Sequence, residues 1–210
     1  MLPTLRGPGR HALTVVLSLL AGAELFALEG TVARLRAVEG HVRAAIELRE
    51  AFPADLRDVL ERGGPIHVRV EAALWEDRAL WDRVVEAPRV TVFRISRQPN
   101  GQAIAVVDAG GGTVLYPPYP NPLTVDVDLG AVDRVASNSR YYVDGVVTIG
   151  TLGEEEADEA DEVFGRDTGS AGLKSVGKFL LNTVLQLSDY VRSVSADIRS
   201  RRITGAELKR

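Results

Sequence analysis

The sequence predicts a mainly β protein: an antiparallel β-sandwich-like domain with one short helix and a long C-terminal amphipathic helix. Three observations lead there. Short stretches that alternate apolar and polar residues recur through residues 28–152, with Gly, Pro and Asn between them. Within that span only residues 53–63 carry helical spacing. From Leu173 onward the apolar positions change to steps of three and four.

The chain has 210 residues, enough for one sizeable domain. Hydrophobic residues make up 45% and charged residues 26%, values of a globular chain and not of a disordered one. The net charge is −4, with no basic surplus to meet a phosphate backbone, so nucleic acid is excluded as a partner. There is no cysteine, which removes disulfides, thiolate metal sites, cysteine nucleophiles and a lipid-accepting cysteine.

Residues 1–27 read as a signal peptide or an uncleaved N-terminal anchor. Arg6, Arg10 and His11 precede an uncharged run from Ala12 to Ala23 that closes on Ala21-Gly22-Ala23, with a second cleavage point offered after Ala27. The run is shorter than the roughly 20 residues of a comfortable membrane span. The chain is therefore expected in the periplasm or cell envelope.

Residues 31–35 and 41–48 alternate around Glu39-Gly40 and predict a hairpin. Residues 53–63 predict a helix, with Pro53 at its start, Leu56, Val59 and Leu60 as its stripe and Gly63 as its stop. Strands are expected at 66–74, 89–96 and 102–107, the last two turned by Asn100-Gly101. A further strand at 113–116 runs into Pro117, Pro118, Pro120 and Pro122, which forbid a central strand. Residues 123–129 place Val125, Val127 and Leu129 on one face and Asp126 and Asp128 on the other, and 141–150 supply the last strand. Seven of the nine residues 154–162 are acidic, so 153–172 read as a solvated linker. Residues 173–210 then give the amphipathic helix, with Leu173, Val176, Leu180, Val184, Leu187, Val191, Val194 and Ile198 as its stripe, and a basic tail.

The stretch from Pro53 to Val85 carries a resemblance. A helix ending Leu60-Glu61-Arg62-Gly63, a Pro-led strand, Leu74-Trp75-Glu76-Asp77-Arg78 and Leu80-Trp81-Asp82-Arg83 together resemble uncharacterised exported bacterial proteins of the domain-of-unknown-function 4390 type. Tyr141-Tyr142 and the tail Arg199-Ser200-Arg201-Arg202-Ile203 are compatible with it. The resemblance implies a signal sequence, a β-rich extracytoplasmic domain and no assigned activity. The acidic segment before Leu173 departs from the family pattern, which has a Trp-containing segment there. With no family residues of known role, none is carried over.

No catalytic, cofactor-binding or metal-binding set stands out. His41 and His67 sit at polar phases of strands and read as solvent-facing. Gly110-Gly111-Gly112 lacks the Lys-Ser/Thr that follows a phosphate cradle, and the acidic run lacks calcium-loop spacing. The candidate interaction residues are Trp75 and Trp81 beside the charged turn, Tyr116 and Tyr119 in the Pro-rich loop, and Leu180, Leu187 and Val191 on the C-terminal stripe. That stripe is free to pack on its own sheet, pair with another helix, or lie on an anionic membrane surface. The function expected is an envelope-associated module that acts by binding a protein or ligand, without a cofactor. Its partner is an envelope protein or a second copy joined through the C-terminal helix, with peripheral membrane contact as a further option. A hydrolase using scattered carboxylates and a carrier of an apolar ligand are the competing readings.

Overall fold

In the computed structural model the described residues are 27–152 and 192–210. Two antiparallel sheets enclose one apolar core. The smaller sheet has the order β1 (Glu29–Val38), β2 (His41–Arg49), β8 (Leu123–Ala131). The larger runs β10 (Arg192–Arg199), β9 (Arg140–Thr151), β3 (Ile66–Asp77), β5 (Arg89–Arg97), β6 (Ile104–Asp108), β7 (Thr113–Tyr116). Two short strands finish it: β4 (Arg83–Val84) pairs with β3, and β11 (Ile203–Thr204) pairs with β9.

The alternation read in the sequence is the alternation of the pleat. Val42, Ala44, Ile46 and Leu48 of β2 and Leu123, Val125, Val127 and Leu129 of β8 are buried against Ile66, Val68, Val70 and Leu74 of β3 and Val143, Val147 and Ile149 of β9. Asp126 and Asp128 stay on the outer face of β8. The helix α1 (Ala54–Glu61) starts after Pro53, buries Leu56 and Leu60 in the same core, and stops before Gly63, whose φ of 84° only glycine adopts freely.

The C-terminal helix expected over residues 173–210 is a correction. Residues 192–199 form β10, zipped along β9 from Arg192↔Thr151 to Arg199↔Asp144. Two periods compete here. Val194 and Ile198 lie four apart, which satisfies a helical stripe and a strand face equally. Ser193, Val194, Ser195, Ala196, Asp197, Ile198 also alternate strictly, and an unpaired edge of β9 was available to accept them. The sandwich edge then closes where β10 meets β1. Leu180, Leu187 and Val191, like the linker, lie outside the described residues.

What helix remains at this end is α2 (Gly205–Leu208), four residues opened by a capping box. Thr204 Oγ1 accepts from the Glu207 amide at 3.2 Å, and Glu207 Oε2 accepts from the Thr204 amide at 2.7 Å. The Thr204 amide first, and then the Thr204 hydroxyl, which donates to Glu207 Oε2 at 3.0 Å, hold the Glu207 carboxyl below its ordinary value. The box seats Leu208 in the core. Thr204→Ala is expected to destabilise the domain by about 1 kcal/mol, read as a lower urea midpoint with an unchanged slope.

Candidate functional site

β3 runs past the expected end to Asp77 and folds back as β4, with Trp75↔Val84 and Glu76↔Arg83 in register. The five residues between, Arg78 to Asp82, form the tip of this hairpin. Asp82 closes it: Oδ1 accepts from the Arg78 amide at 3.2 Å and Oδ2 accepts from the Tyr142 hydroxyl at 2.7 Å. These bonds, the tyrosine's first, hold the Asp82 carboxyl below its ordinary value. Burial first, and then Asp82, pushes the Tyr142 hydroxyl up.

Pleat and register explain why Tyr142 is there. Tyr141 points into the core, so Tyr142 points out, directly opposite Trp75 across the β3–β9 ladder. The two rings are stacked at 6.5 Å with 12° between planes. The Arg199 guanidinium lies 4.7 Å over the Tyr142 ring, and Arg202 lies 5.7 Å from it. On the opposite phase Glu76 is buried beneath the loop and takes both Arg78, at 2.7 Å, and Arg83, at 2.9 Å. Burial by itself raises the Glu76 carboxyl. The hydrogen bonds from Ser139 and Arg78 and the two arginine charges outweigh it and leave the group below its ordinary value.

The result is a braced loop whose two large apolar side chains touch little else. Leu80 is 84% exposed and Trp81 75%.

Beside it, an ion network joins the two sheets. His41 Nδ1 lies 2.9 Å from Asp128 Oδ2, Asp128 Oδ1 lies 3.4 Å from Arg89, and Arg89 lies 3.2 Å from Glu86, which Arg134 approaches at 3.8 Å. Gly130, at φ 118°, leaves room for the Glu86 carboxylate where a Cβ would collide with it. With each carboxylate held by an arginine, the network braces the end of the sandwich that carries the hairpin.

Of the candidate residues, the structure brings Trp75 and Trp81 to one hairpin but gives them different roles, one as platform and one as tip. Tyr116 and Tyr119 lie elsewhere and hold loops in place. The Tyr116 hydroxyl donates to the Thr124 carbonyl at 2.6 Å. Tyr119 packs edge-on against Phe52 at 5.7 Å and donates to Glu61 at 3.2 Å. His41 is exposed as expected. His67 is not: it is 1% exposed, on the outer face of the large sheet between Arg94 and Gly150 in register.

Sequence reasoning missed Tyr142, Arg199, Arg202 and the closing role of Asp82. The Arg78-to-Asp82 spacing was a legible sign of a closed loop. The pairing of Tyr142 with Trp75 depends on register across 67 residues of chain and leaves no local signal. Among the described residues no group of three His, Asp or Glu side chains is placed to hold a metal ion. Hollows of about 270 and 330 Å³ lie along β1, both lined in part by Arg34 and neither enclosed.

Fold and site together define a β-rich domain of two antiparallel sheets with a braced aromatic hairpin at one end. No family model, curated protein or solved structure matches the chain.

Proposed function

We propose that this chain is an exported, envelope-side module that acts by binding, with the tip of the β3–β4 hairpin as its recognition loop. The observation that carries the reading is the exposure of Leu80 and Trp81 on a loop whose base is fixed by Asp82, Tyr142 and the Glu76 pairs. Tryptophan and arginine are the residues that dominate recognition surfaces. A preorganised loop also loses little conformational freedom on binding. The basic, then apolar, N-terminal segment supports the location outside the cytoplasm. No helix among the described residues is long and apolar enough to cross a membrane.

The test is fractionation of the tagged full-length protein combined with site-directed photocrosslinking in cells. A photoreactive amino acid in place of Leu80 is expected to crosslink to an envelope component, and one in place of Val114, exposed on β7, is not. Trp81→Ala is expected to change unfolding free energy by less than about 0.5 kcal/mol, as an exposed site does, while removing those crosslinks. Recovery from the cytoplasm overturns the location. Crosslinks that survive Trp81→Ala in the folded protein overturn the tip.

A further inference from the structure

We infer that the occupant of the hairpin tip is an anionic lipid bilayer surface, with Leu80 and Trp81 entering the interface and the surrounding arginines meeting headgroup phosphates. The inference rests on the binding reading above and names the partner of that same loop.

Charge layering is the first argument. Acidic and basic residues are both present around the tip, but they are not equally presented. In the pairs beneath the loop the Glu76 side chain is 10% exposed against 44% for Arg78 and 54% for Arg83. The Asp77 side chain is 19% exposed against 53% for Arg202. Asp82 has both oxygens engaged by Tyr142 and the Arg78 amide. Asp144, half-exposed beside Arg199, is the exception. Asp144 apart, the carboxylates lie underneath and the guanidiniums face outward, so this end presents positive charge although the chain as a whole carries −4. Anionic headgroups complement such a surface.

The shape of the apolar part is the second argument. Leu80 and Trp81 are neighbours on a five-residue loop and project from a polar end of the sandwich. Aromatic side chains bury roughly 150–250 Å² each, so the pair supplies a fraction of the roughly 800 Å² per partner of a standard protein interface. A bilayer interface needs no complementary surface around an inserted pair. Tryptophan settles at headgroup depth, leucine enters the acyl boundary, and arginine stems extend along the apolar layer while their heads stay with the phosphates.

The chain has two tryptophans, so the test has a built-in reporter. In the full chain carrying Trp75→Phe, Trp81 is the only indole, and phenylalanine keeps a ring against Tyr142. Vesicles of phosphatidylcholine with phosphatidylglycerol are expected to shift Trp81 emission to the blue, and brominated lipid is expected to quench it. Pure phosphatidylcholine vesicles and added salt are expected to weaken both effects. Leu80→Ser/Trp81→Ser is expected to bind the anionic vesicles about tenfold more weakly in co-sedimentation, the equivalent of 1.4 kcal/mol.

An equal response to neutral and anionic vesicles overturns the charge part of the inference. Undiminished sedimentation of the double variant overturns the tip as the inserting element. If Trp81 emission ignores both vesicles while the crosslinks from position 80 reach an acidic protein, the lipid inference fails and the binding reading stands. If the crosslinks are absent as well, both fail.

Discussion

Gly145→Ala is expected to destabilise this protein by about 3 kcal/mol or more, the upper end of what overpacking costs. Gly145 lies on β9 opposite Ala72 of β3, in the middle of the large sheet. A Cβ placed there falls 2.2 Å from the Glu71 carbonyl oxygen and 2.8 Å from the Ala72 Cα. Both are backbone atoms, so no rotamer change relieves the contact. The two strands separate, or the ladder breaks at the centre of the β3–β9 register. Domains of this kind are stable by only about 5–15 kcal/mol, and the loss is expected as a large drop in urea midpoint. Val146→Ala, one residue along and partly exposed on the other face, is the control and is expected to lose less than about 1 kcal/mol. A Gly145→Ala protein that unfolds at the wild-type midpoint contradicts the close approach of β3 and β9.

The same strands show which features the sequence carried. The inward residues of β2 and β8 alternate without a break, so their faces were legible from the sequence pattern alone. The Pro53 and Gly63 signals bracketed α1 to within two residues at each end. Asn100-Gly101 marked the place where β5 turns into β6, although the central turn residues are Pro99 and Asn100 and only Gly101, at φ 68°, takes the positive-φ backbone. β10 was lost because a four-residue step fits both periods, and only the vacant edge of β9 decides between them. That decision moved Arg199 from a helical tail to the Tyr142 ring, so an error in secondary structure became an error in the site. Trp75 and Trp81 were legible as candidates because tryptophan is scarce here. Their division into platform and tip was not, since it depends on which strand lies opposite. His67 failed for a related reason. Its polar phase was read correctly, but outward on a sheet is not the same as exposed.

That burial gives His67 the second large effect, a loss of stability on mild acidification. Burial first, and the Arg94 charge second, lower the imidazole from 6.5 to about 4. In the unfolded chain the ring takes up its proton near 6.5, while in the folded protein it stays neutral until about 4. Between those values the unfolded state holds more protons, so stability falls as pH falls. The contribution is intact above 6.5 and fully lost by about 4. At 1.36 kcal/mol per pH unit the whole window corresponds to about 3 kcal/mol. Asp82, Glu76 and Glu207 have lowered values, so their contributions are intact above the ordinary carboxylate range and begin to fail only as pH falls to about 4.5. Urea midpoints between pH 7 and 4.5 therefore isolate the histidine. The wild-type midpoint is expected to fall steadily below 6.5. His67→Gln has no proton to bind there, and its curve is expected to be flatter by most of that difference, whatever its stability at pH 7. Parallel curves for the two proteins would mean that His67 is protonated as readily in the fold as out of it, and that the outer face of β3 at this position is open to water.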